Sequence, residues 1–144
     1  MNRTEAYKER IMAILGRVEK KDGEEQPIRA FLICPVRGHG PSETENLVSF
    51  LEDELDLIIH WPHRDTDQND PVGLTICEEN RAAIEAADLI LMVWDGKSMG
   101  SLFDLGMTFA LRKPLIPLEL PELSEGKSFQ NMINAWYQRQ LSHE

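Results

Sequence analysis

Ala87–Leu118 reads ADLILMVWDGKSMGSLFDLGMTFALRKPLIPL, and this stretch decides the fold. Leu89 to Trp94 is apolar nearly throughout, as expected of a strand whose sheet is covered on both faces. Asp95, Gly96, Lys97, Ser98, Met99 and Gly100 then read as a turn, and a helix opens at Ser101 with Asp104 in its first turn. That helix runs to Leu111 and leads into a short strand over Pro114–Leu118. A turn rich in Gly and Ser at a helix N-terminus directs backbone N–H groups outward, where they suit an anion, and Asp104 sets a carboxylate beside them.

Working outward, the same alternation of strand and helix repeats. Tyr7, Ile11, Ile14, Leu15 and Val18 are spaced by threes and fours and predict an opening helix at about 4–18. Ile28–Cys34 reads as a buried strand, followed by a turn through Arg37, Gly38 and His39. Ser42 and Glu45 have capping-box spacing ahead of the stripe Leu47, Phe50, Leu51 and Leu55, and Leu57–Trp61 reads as the next strand. The polar stretch Pro62–Gly73 reads as a long loop. Thr75 and Glu78 then open a helix that buries Ile76, Ala83, Ile84 and Ala87, and Phe129, Met132, Ile133, Trp136 and Leu141 outline a closing helix.

The pattern predicts one α/β domain over residues 1–144, a three-layer flavodoxin-like or Rossmann-like fold with a mainly parallel five-stranded sheet in the order 2-1-3-4-5. In such a sheet the loops after Cys34, Trp61 and Trp94 meet at one edge. Arg37 and His39 come from the first, His63, Arg64 and Asp65 from the second, and Lys97, Ser98, Ser101 and Asp104 from the third, with Asn80 joining from its helix. Arg37 offers a fixed fork of donors and Lys97 a mobile charge, so the cluster suits a small anionic ligand.

Composition narrows the function classes. The chain has 144 residues, 15 basic against 25 acidic, for a formal charge of -10, which repels a nucleic-acid backbone. No apolar run approaches a membrane span or signal peptide, so a cytoplasmic protein is the expectation, with no nucleic-acid or membrane partner. Cys34 and Cys77 lack CxxC spacing and read as plain thiols. The acids between Asp65 and Asp70 match no metal-ligand spacing, so neither metal nor cofactor is expected. Trp61 and Trp94 read first as core packing, with stacking on a base as the other reading.

Three segments carry a family resemblance. Ser98-Met99-Gly100-Ser101-Leu102-Phe103-Asp104-Leu105-Gly106 is similar to the Ser-x-Gly-x-x-x-Glu-Leu-Gly signature of the nucleoside 2-deoxyribosyltransferase superfamily, in particular its nucleoside 5′-monophosphate N-glycosidase branch, the deoxynucleoside monophosphate hydrolases. Phe31-Leu32-Ile33-Cys34-Pro35-Val36-Arg37-Gly38 resembles that branch's first strand and Arg-Gly loop, and Asn80 through Asp88 resembles the helix that begins with a catalytic-site Asp. The likeness spans Ile28 to Leu118. Trp94-Asp95-Gly96-Lys97-Ser98 also resembles nucleotide-binding Rossmann-like sensor domains.

The resemblance implies hydrolysis of the N-glycosidic bond of a nucleoside 5′-monophosphate to free base and sugar 5-phosphate, with two alternatives: deoxyribosyl transfer, or a non-catalytic nucleotide-binding or sensor domain. It implies a homodimer with a nucleoside or nucleotide ligand. Asp104 takes the place of the nucleophilic Glu, one methylene shorter, and Asn80 that of its partner Asp, keeping hydrogen bonding without a titratable proton. Arg37, Gly38, His39, Lys97, Ser98, Gly100 and Ser101 are the implied substrate and phosphate contacts, with His39 or His63 as candidate proton donor. The residues alone leave Asp104 a second role, since its spacing from Ser101 is that of a reciprocal helix cap. Asn80 can likewise serve its own helix start, and Lys97 the solvent.

Overall fold

A computed structural model describes residues 2–16, 27–35 and 41–142. Four parallel strands are laid down in it: β1 (Arg29–Ile33), β2 (Ile58–His60), β3 (Leu89–Val93) and β4 (Leu115–Glu119). They alternate with six helices among the described residues: α1 (Arg3–Leu15), α2 (Pro41–Asp53), α3 (Pro62–Asp65), α4 (Leu74–Ala86), α5 (Met99–Ala110) and α6 (Phe129–Ser142). The sheet order is β2-β1-β3-β4, with every pairing parallel. This is an α/β domain with a parallel sheet between helical layers, as the apolar runs predict.

All five residues of β3 are buried. One face of the sheet presents Ala30, Leu32, Leu89, Leu91 and Ile116 to Tyr7, Ile11 and Ile14 of α1 and Val48 and Leu51 of α2. The other presents Phe31, Ile33, Ile90 and Met92 to Ile84 of α4 and Leu105 of α5. The period-two alternation of strand side chains thus loads both faces equally, which is why the strands read as continuous apolar runs. Helix α6 lies along β4 and reaches both clusters, through Tyr137 on one side and Ile133 on the other.

The fifth strand is not present among the described residues, and the edge of β4 shows why none is needed there. The Gln140 side-chain amide donates to Leu115 O at 2.6 Å, and its oxygen accepts from Leu115 N at 2.8 Å, so one side chain does what a neighbouring strand would do. Pro117, next on that edge, has no N–H, and its carbonyl accepts from Arg10 Nη1 at 2.9 Å. An edge so closed offers no ladder to a further strand. The segment between β4 and α6 contains Pro121 and a positive-φ Gly126 and is irregular, bending at 125–127.

Helix starts differ from the spacing-based expectation. The opening helix ends at Leu15, and Val18 lies outside the described residues. Pro41 and Ser42 are already helical, so Ser42 sits inside the first turn of α2, with proline where its missing N–H costs nothing. The N-cap of α4 is Gly73 at φ 90, a left-handed conformation glycine adopts freely, so Thr75 is not its cap. The Asp70 carboxylate instead takes the orphan amides of Thr75 and Ile76, at 2.8 and 3.2 Å. The expected loop Pro62–Gly73 begins with the one-turn α3, pinned by Asp65 Oδ2 accepting from Trp61 N at 2.9 Å.

Gln140→Ala is expected to strand two backbone groups of β4 and to lower unfolding free energy by about 2 kcal/mol, read from urea denaturation. A loss under about 0.5 kcal/mol, the range of ordinary surface changes, would contradict this role.

Candidate functional site

The turn after β3 brings α5 back over the sheet. Gly96 takes φ +80, and a Cβ there would stand 3.0 Å from Pro121, so both conformation and space demand glycine. The Asp95 carboxylate accepts from the amides of Lys97 and Ser98, each at 2.8 Å. Ser98 is the N-cap of α5, its Oγ accepting from Ser101 N at 3.2 Å and lying 3.0 Å from Ser101 Oγ. The helix therefore starts at Met99 rather than Ser101. Asp104 falls in the second turn, out of reach of a reciprocal cap, and that reading of Asp104 is corrected.

Asp104 faces α4 instead. Its carboxyl is half-buried and is pushed up to about 7 by removal from water, with a hydrogen bond from the Asn80 side chain pulling the other way. Asn80 is 6% exposed and Thr66 4%, and the Thr66 hydroxyl donates to Asn80 Oδ1 at 2.9 Å. With the amide oxygen so occupied, the amide nitrogen is the group left to donate to Asp104. Thr66 Oγ1 also lies 2.8 Å from His60 Nε2, and the His60 ring stacks on Phe31 at 5.3 Å and 9°.

Two thiols share this environment. Burial pushes Cys34 up to about 11 and Cys77 upward, and the Asp104 carboxylate adds to both shifts, while a hydrogen bond from Trp61 opposes it at Cys34. Cys34 also lines a cavity of about 240 Å³ among Tyr7, Glu43, Thr44, Val93 and Glu119 on the α1/α2 face. Burial, and then the hydroxyl proton that Tyr7 donates to Glu119, raise the phenol well above its usual range, while Arg3, paired with the same carboxylate at 3.3 Å, opposes the shift.

Of the residues singled out from sequence, Asp104 and Asn80 are brought together. Ser98, Gly100, Ser101 and the exposed Lys97 share the start of α5 and the turn before it, with Ser101 buried and open space around Gly100. Arg37, Gly38 and His39 lie outside the described residues. Arg64 does not reach toward Asp104: it is bound to Asp65, Glu52 and the carbonyl of Ile59. His63 is exposed and tilts against Trp61. Trp61 and Trp94 are both core residues, 6% exposed.

His60 and Thr66 were missed in the sequence. The available signal was a histidine ending a strand at the ligand-binding edge of a parallel sheet. Among the described residues no group of three or more His, Cys, Asp or Glu is gathered as for a metal, and no helix is long and apolar enough to cross a membrane.

The raised carboxyl makes a stability prediction independent of any ligand. Asp104 titrates near 7 when folded against 3.8 as its ordinary value, so its contribution is fully present below about pH 4 and is lost as pH rises through 7. Asp104→Asn removes that buried charge, and its stability relative to the native chain is expected to grow by about 2–4 kcal/mol between about pH 4 and pH 8. Denaturation at the two pH values with an unchanged difference would contradict the burial of an ionised group.

No protein-family model matches the chain, and no curated protein matches it. Among solved structures, its fold is similar to that of a 2-deoxyribosyltransferase from the psychrotolerant bacterium Bacillus psychrosaccharolyticus, described as a biocatalyst for the synthesis of antiviral and antitumoral nucleosides. The identity is 13% and the TM-score 0.55, over 81% of this chain and 92% of that one, which makes the likeness one of fold.

Proposed function

We propose that the chain breaks the N-glycosidic bond of a nucleoside-type substrate, with Asp104 as nucleophile. The single observation carrying this reading is the Asp104–Asn80 pair: a carboxyl withdrawn from water, titrating near neutrality, with its anion steadied by one amide donor. Desolvation raises the energy of the free carboxylate, and attack on the anomeric carbon relieves it. In the first step an Asp104 oxygen bonds to that carbon, the carbon–nitrogen bond breaks, and its electron pair leaves with the base, which takes up a proton. In the second, water or another base attacks the same carbon and releases the carboxylate.

Whether the glycosyl group passes to a second base or to water divides transferase from hydrolase. The fold likeness supports the transferase member of this pair. Hydrolysis of a nucleoside 5′-monophosphate is the second reading, and the Arg37-Gly38 motif and the open space around Gly100 favour it. Against it, Asp95 already takes two amides of the turn meant for phosphate and adds a negative charge there. The expected homodimer belongs to this proposal too, since α5 leaves Met99 and Phe103 exposed. A monomer in sedimentation at working concentration would remove it.

A panel of ribo- and deoxyribonucleosides and their monophosphates, with and without an acceptor base, separates these outcomes when free base and sugar product are measured directly. The native chain is expected to release or exchange base, with the rate rising through about pH 7 as Asp104 ionises. Asp104→Asn is expected to lose at least about tenfold in rate while keeping the fold. Binding of several members with every substrate left intact would refute the enzyme and leave the sensor reading.

A further inference from the structure

Resting on the N-glycosidic reading above, we infer that Thr66 and His60 are positioning residues that lock the Asn80 carboxamide with its nitrogen toward Asp104. A threonine hydroxyl has one proton to give. Here it goes to Asn80 Oδ1 at 2.9 Å, so the 2.8 Å contact with His60 is made by Nε2–H as donor. His60 fills that role as the Nε2–H tautomer or as the imidazolium, and burial holds it below its ordinary value, toward the neutral form. The chain of donors runs one way, from His60 through Thr66 and Asn80 to Asp104, and ends on an acceptor.

The reverse orientation has a different chemical consequence. If the amide turned over, its oxygen would face Asp104, and only a protonated carboxyl could donate to it. The amide orientation therefore selects the ionisation state of the nucleophile, and Thr66 selects the orientation. Each link is held from outside the site. The His60 ring is stacked on the fully buried Phe31, and Thr66 follows directly on α3, which Asp65 and Arg64 tie to β2.

The charged groups facing His60 are Asp65 and Arg64 from α3 and Glu79 from α4. Among the described residues, the titratable groups coupled to Asp104 are the neutral thiols of Cys34, just after β1, and Cys77 on α4. None of these donates to the Asp104 carboxylate in place of Asn80, so losing the lock is felt at Asp104 itself.

The test is a titration of the Asp104 carboxyl carbon by carbon-13 NMR, assigned through its disappearance in Asp104→Asn, alongside the pH dependence of base release. Thr66→Val keeps the shape and removes the hydroxyl; it is expected to raise the Asp104 midpoint by about one pH unit. The acid limb of kcat should move the same way, costing about tenfold at pH 6 with KM little changed. Thr66→Ser restores the hydroxyl and should restore both. His60→Phe keeps the stack on Phe31, removes the ring donor and should shift the midpoint in the same direction; it decides the matter if the valine variant does not fold. A midpoint left in place by these variants, or a serine variant that fails to restore it, overturns the inference. A native chain that turns over no nucleoside refutes the function proposed above, while the carboxyl titration still decides whether the lock exists.

Discussion

Everything proposed for this protein depends on one contact, the Asn80 carboxamide against the half-buried carboxyl of Asp104. A carboxylate is costly to take out of water, and one hydrogen bond from a neutral amide offsets only part of that cost. The carboxyl thus titrates near neutrality, poised between a proton donor and a nucleophile. An Asp at position 80 would place a second negative charge on the first and drive one of the pair to hold a proton. With Asn, the partner has no proton of its own to exchange, and control passes to whatever orients the amide.

Position is supplied by the sheet. Helices α4 and α5 lie on the same face, packed against each other and against β1, and in a parallel sheet ligands enter at the C-terminal edge of the strands. Lys113 holds the far end of α4, its ammonium donating to the carbonyls of Glu85 and Ala87 at 2.8 and 2.9 Å. On the opposite flank, Gln140 and Arg10 close the β4 edge from α6 and α1. The sheet therefore has four strands among the described residues, and its β4 edge is closed by side chains.

The layered α/β architecture was readable because burial on both faces leaves apolar runs such as Leu89–Val93, and the three-and-four spacing of Tyr7, Ile11 and Ile14 marked α1 correctly. The nearness of Asp104 and Asn80 was readable as a resemblance. Helix starts were not. Asp70 caps α4 from five residues before Thr75, and Ser98 caps α5 three before Ser101, so local capping-box spacing at Thr75 and Ser101 pointed one step too far along the chain. A fifth strand was expected because nothing in the sequence says that a glutamine in α6 will pair with Leu115. His60 and Thr66 join the site only through contacts across α3 and α4, which no spacing rule connects.

The most direct test of the account is to trap the glycosyl-enzyme. A 2-fluoro-substituted nucleoside slows both steps by destabilising the cationic transition state, so an ester formed at the nucleophile should persist long enough for peptide mass spectrometry. The account predicts one added sugar on the peptide carrying Asp104, absent from Asp104→Asn. A sugar carried by any other residue, or base released by the native chain with no adduct at Asp104 under trapping conditions, would contradict it.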